Sequence, residues 1–251
     1  MSYEDFKDPF YSLTLFGHSR YLNELNTLYI NKKLPKVTML SGNKGSGKFT
    51  LIFHFLNYIF DKDNYNSKLL QISPSSNFYK NILNNTFQNF VYIGGKQKVG
   101  INDIRDLKEK VSMSTINSFP RFIILDDVEL LNINSSNALL KITEEPSENN
   151  YFILINNLQK KISETISSRC IKKRIFLNNT ERKEIINKLI SHYSINPVID
   201  PNTNLLTPGA FLIFNDIATE NNISKDLGYL DKIFVLLNLY KKKKDINYIN
   251  L

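Results

Sequence analysis

Cysteine is nearly missing from this chain of 251 residues, where Cys170 stands alone. One thiol excludes an intramolecular disulfide framework and any zinc site built from several cysteines. Long apolar runs are missing too. No uninterrupted stretch approaches the roughly 20 residues that span a bilayer, and the opening MSYEDFKDPF is acidic and polar, unlike a secretory leader. These absences predict a soluble, cytoplasmic protein with no membrane partner. Histidine is scarce as well, and His18, His54 and His192 read as packing or surface residues rather than ligands.

What is present suffices for a folded core: 42% of the residues are hydrophobic, enough for one large domain or two modest ones. The net charge of +8 suits a partner that carries phosphates. A composition rich in Lys, Asn and Ile, as an AT-rich coding sequence produces, accounts for the same excess. The run Lys241 to Lys244 reads as a solvated helix end or tail rather than a binding patch.

Apolar runs of strand length alternate with helical periods. Val37 to Leu40, Leu69 to Ile72, Phe90 to Ile93, Phe122 to Leu125 and Tyr151 to Ile155 read as buried strands. Helices are expected from a Ser19 cap to about Tyr29, over Lys48 to Phe60, Asn77 to Asn85, from an Asn102 cap through Val111, over Ser135 to Thr143, and from Thr180 to Tyr193. A further helix follows Pro208-Gly209, and one more is expected from Ser224 onward, with Leu227, Leu230, Ile233, Phe234 and Leu237 as its apolar positions. The alternation predicts an α/β fold with a mainly parallel sheet covered on both faces.

Two strand ends carry chemistry. The first strand runs into Ser41-Gly-Asn-Lys-Gly-Ser-Gly-Lys48-Phe-Thr, in which Gly42, Gly47 and Lys48 have the spacing of a phosphate-binding loop. Glycines let backbone N–H groups wrap a phosphate, and the lysine reaches the terminal phosphates. The residue after that lysine should carry a hydroxyl for Mg²⁺, and here it is Phe49. Thr50 does not replace it, because one step along a helix turns a side chain by about 100°. The strand Phe122 to Leu125 ends in Asp126 and Asp127, acids aimed at a ligand crevice. The strand Tyr151 to Ile155 ends in Asn156 and Asn157.

Together with the glycine loop, the segments NALLKITEEP (137–146) and Ser168-Arg169-Cys170 resemble the AAA+ module of the clamp-loader subunits of bacterial DNA polymerase III, the gamma/tau and delta-prime proteins. The element from Val99 to Leu107 is similar as well, and the likeness thins out after Thr219. The resemblance implies an AAA+ P-loop core over residues 1–176, a helical lid over 177–222, and a C-terminal helix over 223–251. That last helix is either a collar reduced to one element or part of a divergent or truncated form. It implies a nucleotide site of Gly42, Gly45, Gly47, Lys48, Asp126, Asp127 and Asn156, with Asn156 and Asn157 together in the place of the family's γ-phosphate sensor. It also implies that Arg169 is an arginine finger, reaching in trans into a neighbour's nucleotide site.

Three positions depart from a working ATPase of that family: Phe49, Asp127 where a glutamate is usual, and Ala210 where an arginine follows the turn. The expectation is therefore a delta-prime-like subunit that binds ATP weakly or leaves it unhydrolysed. It carries no zinc, unlike many members. Its implied partners are other clamp-loader subunits, gamma/tau-like and delta-like, the sliding clamp, and primed DNA through the assembly. The alternative is an active, gamma-like clamp-loader ATPase.

Overall fold

The computed structural model describes residues 8–95, 99–113, 115, 119–202 and 205–244. They form two compact units. One comprises Leu13–Asn43 and Lys48–Phe176, and the other takes the remaining described residues, including Lys44–Gly47 and the stretch from Leu177 on.

The first unit is a parallel sheet with helices. Its strands are β1 (Val37–Ser41), β4 (Phe90–Ile93), β5 (Arg121–Leu125), β6 (Asn150–Asn156) and β7 (Ile171–Arg174), in the order β4-β5-β6-β1-β7. Every pairing in this sheet is parallel, and β1 registers Leu40 against Ile155 while β5 registers Leu125 against Leu154. The expected α/β architecture is thus present. Central strands need continuous apolar runs because both faces are covered, and Phe122 to Leu125 are fully buried. Phe122 sits among the rings of Tyr29, Phe55, Phe60 and Tyr151, with centroids 5.2 to 6.2 Å apart around the cluster. The edge strand β7 carries Lys172, Lys173 and Arg174, charges that discourage a further strand from pairing there.

The helices of this unit are α1 (Ser19–Ile30), α2 (Lys48–Phe60), α3 (Asn77–Leu83), α4 (Ile101–Ser112), α5 (Ile133–Thr143) and α6 (Glu164–Ser168). Several start elsewhere than the sequence predicts. Ser19 is already inside α1, whose N-cap position is His18 in the left-handed region at φ 59°. Asn102 lies inside α4, and the cap is Gly100, whose N–H donates to Asp103 Oδ2 at 2.7 Å. The expected strand Leu69 to Ile72 does not join the sheet. Leu70 has φ 53°, which breaks the extended conformation. Only β3 (Gln71–Ile72) remains, antiparallel to β2 (Tyr65–Asn66), and Leu69 is 60% exposed.

The second unit contains α7 (Asn179–Tyr193), α8 (Pro208–Glu220) and α9 (Tyr229–Lys243). Asn178 caps α7, which begins at Asn179 rather than Thr180: the Asn178 Oδ1 accepts from the Glu181 N–H while Glu181 Oε2 accepts from the Asn178 N–H, both at 2.9 Å. The core of this unit joins Ile186, Phe211, Phe214, Ala218 and Leu236 from all three helices with Val198 from the connection between α7 and α8. The last helix opens at Tyr229 rather than Ser224, because Ser224 Oγ accepts from the Asp226 N–H in a local turn that competes with helix. The part of the expected tail helix beyond residue 244 lies outside the described residues.

Candidate functional site

Because β5 and β6 are parallel neighbours in register, the residues that follow them leave the sheet at the same edge. Asp126 and Asp127 thereby meet the polar residues after Ile155. Asn157 Nδ2 donates to Asp126 Oδ1 at 2.8 Å and to Asp127 Oδ1 at 2.7 Å. Gln159 Nε2 donates to Asp127 Oδ1 at 2.9 Å, and the Tyr92 hydroxyl donates to Asp126 Oδ2 at 3.2 Å. The Asp127 N–H also donates to Asp126 Oδ1 at 2.8 Å, with Asp127 held at φ 54°. The buried Glu129 anchors the opposing loop, its Oε1 accepting from the N–H groups of Asn157 at 3.0 Å and Gln159 at 3.2 Å.

Of the two asparagines, Asn157 is the one that reaches the acids. Asn156 turns back on its own loop, where its Oδ1 accepts from the Leu158 N–H at 2.9 Å and its Nδ2 lies 3.4 Å from Ser41 Oγ. Tyr92, Glu129 and Gln159 complete the cluster, and sequence reasoning missed all three. Their only trace in the sequence is position: two lie within three residues of an expected site residue, and Tyr92 lies in a neighbouring strand.

Burial raises the Asp126 carboxyl above the ordinary carboxylate range, and the charge of Asp127 adds to it. The bonds from the Asp127 N–H, Asn157 and Tyr92 pull the other way without offsetting those two effects. The folded protein therefore holds this proton more tightly than the unfolded chain. Its contribution to stability is lost as the pH rises from about 4 through the folded value, and it is constant beyond that value. Replacing Asp126 by Asn removes the charge and keeps an acceptor for Asn157. We expect Asp126→Asn to melt higher than the wild type at pH 7.5, with the gap closing towards pH 4 in thermal melts.

Phe49 occupies the position of the missing hydroxyl and is part of the core. Its ring meets Tyr92 edge-on with centroids 4.8 Å apart and lies parallel to Phe53 at 6.2 Å. Lys48 is buried, its Nζ donating to the carbonyls of Gly42 at 2.6 Å and Asn43 at 2.8 Å. The Gly42 N–H extends the sheet by donating to the Asn156 carbonyl at 3.1 Å.

Gly45 and Gly47 have φ 75° and 86°, as a tight loop demands. Both belong to the helical unit, where the Gly45 carbonyl accepts from the Gly209 N–H at 2.8 Å and the Lys44 carbonyl from Thr207 Oγ1 at 2.7 Å. A Cβ on Gly209 would lie 2.8 Å from Gly45 Cα, so that approach requires glycine. Ala210, the third residue of α8, offers no cation.

A magnesium ion asks for hard oxygen ligands, ionised carboxylates among them, in octahedral order. Here the hydroxyl position is a phenyl ring, and side-chain amides already engage both acids. The residues present do not fit that ion.

Arg169 ends α6 at the surface of the α/β unit. Its Nη2 donates to Glu144 Oε1 at 2.8 Å and its Nη1 to the Thr165 carbonyl at 3.1 Å. The Arg169 side chain is 37% exposed and that of Glu144 51%. The adjacent Cys170 thiol donates to the Ile166 carbonyl at 3.0 Å, and burial pushes its pKa up to about 11.

A model of the protein family described as "DNA polymerase III, delta subunit" matches residues 17–178. Among curated proteins, the DNA polymerase III tau subunit of Bacillus subtilis (strain 168) is 29% identical over 157 residues, covering 61% of this chain and 27% of that protein. The DNA polymerase III delta' subunit of Buchnera aphidicola subsp. Schizaphis graminum is 29% identical over 183 residues, covering 65% of this chain and 53% of that one. The match thus spans between about a quarter and about half of those relatives' own length. Among solved structures, a gamma-subunit-related protein of Thermotoga maritima aligns with TM-score 0.48 at 19% identity, over 67% of this chain and 52% of that chain. The RuvB Holliday junction branch migration motor of the same organism aligns with TM-score 0.49 at 16% identity, over 91% and 74%.

Proposed function

The chain belongs to the DNA polymerase III, delta subunit family, and from that premise we propose that it is a delta-prime-like clamp-loader subunit that does not hydrolyse ATP itself. It packs beside an ATPase subunit of gamma/tau type and lends Arg169 to that neighbour's nucleotide site while the sliding clamp is loaded on primed DNA. The observation that carries this reading is the state of the acid pair. Asp127, where a water-activating acid would stand, accepts from two side-chain amides, and Asp126 shares one of them. A general base must be free to take a proton from water in line with the phosphoryl group, and a clamped, one-carbon-shorter acid is poorly placed to do so.

Phe49 and Ala210 support the same reading from two other positions. Arg169 supports its second half, since a partly exposed guanidinium at a surface is available to an anion on another molecule. No described helix is long and apolar enough to cross a membrane. The test is ATP turnover by the purified chain with magnesium and primed DNA. The expected result is no turnover above background. A magnesium-dependent rate near about 1 s⁻¹, the low end of ordinary enzymes, favours a gamma-like ATPase instead.

A further inference from the structure

We propose that Glu144 is a positioning residue for Arg169, holding its guanidinium in the pose in which it is offered to the neighbouring subunit; this inference rests on the reading of Arg169 given above. Glu144 closes α5, with its N–H donating to the Leu140 carbonyl at 2.9 Å and its backbone still helical. A carboxylate is poorly placed there on its own account. The C-terminal end of a helix carries partial negative charge, and Glu145 stands beside it. Lys141 lies in the same last turn, and the cation that reaches the Glu144 carboxylate is Arg169, 25 residues further on, at 2.8 Å.

The guanidinium is gripped at two points. One terminal nitrogen donates to Glu144, the other to the Thr165 carbonyl at 3.1 Å, and a carbonyl in its own helix cannot move away. A guanidinium has five N–H donors in a planar fork, so two such bonds fix the plane and leave donors over for a second anion. Without Glu144, the Thr165 bond is what remains among the described residues, and the plane can rotate about it. Partial exposure of both side chains keeps the pair weak enough for a phosphate to compete.

The test uses the full chain assembled with its gamma/tau-type ATPase partner, the sliding clamp and primed DNA, reading DNA-dependent ATP turnover. Glu144→Ala is expected to lower the partner's stimulated kcat by roughly fivefold at unchanged KM, because an unheld arginine must be ordered anew in each transition state. Glu144→Gln keeps an acceptor oxygen and is expected to retain most of the stimulation. Melting temperature and assembly should match the wild type in both, since a surface pair contributes little to stability. A Glu144→Ala protein that stimulates as well as the wild type, or better, overturns the positioning role. So does a loss that appears only as weaker assembly or a lower melting temperature. An Arg169→Ala protein that still stimulates fully overturns the underlying reading instead, which separates the two failures.

Discussion

Arg169→Ala is expected to abolish the increase in DNA-dependent ATP turnover that this chain brings to an ATPase partner. At the one site the arginine completes, the chemical step should slow by about 10³-fold or more, as the loss of an arginine that neutralises the transferring phosphoryl group does elsewhere. The assembled rate should then fall to that of whatever sites other subunits complete. Folding should be spared. The residue is partly exposed, and its ion pair with Glu144 is of the surface kind, where removal costs about 0–1 kcal/mol. Steady-state turnover of the assembly, read beside a sizing column for its integrity, checks both halves.

The second large effect concerns Phe49, where a hydroxyl residue would restore the motif on paper. Phe49→Thr is expected to destabilise the α/β unit by about 3 kcal/mol, the range for removing a buried phenyl ring. The ring is only 7% exposed and is wedged between Tyr92 and Phe53, so its removal leaves a cavity and sets a hydroxyl against an apolar wall. No ATP turnover should appear in return. Asn157 and Gln159 still hold Asp127, and Asp126 remains buried beside it. Denaturant titration and an ATPase assay on the variant check this. A stable protein with magnesium-dependent turnover would mean that the pocket lies one residue short of activity.

Much of this was legible beforehand, for physical reasons that differ by element. The buried strands announced themselves because a parallel sheet covered on both faces demands unbroken apolar runs, as in Phe122 to Leu125. Leu69 to Ile72 looked the same and behaved otherwise, since nothing in an apolar tetrad signals that Leu70 will take a left-handed conformation. Helix starts were misplaced by one or two residues where the cap was Gly100 or His18, residues that offer no side-chain oxygen. The glycine loop, the acid pair, the paired asparagines and Arg169 were all visible as local patterns. Tyr92, Gln159 and Glu129 were not, because their roles exist only once neighbouring strand ends converge. The pairing of Glu144 with Arg169 joins two motifs that were each recognisable, and nothing in the spacing says that they touch.

The central claim is that this chain's own acids are idle while its arginine works on a neighbour. Its most direct test is DNA-dependent ATP turnover by the assembled loader, with Asp127→Asn and Arg169→Ala compared in one experiment. Asparagine tolerates the left-handed backbone of position 127, so that variant changes charge with little strain. The account predicts wild-type turnover with Asp127→Asn and loss of stimulation with Arg169→Ala. Loss with Asp127→Asn and full stimulation with Arg169→Ala would contradict it.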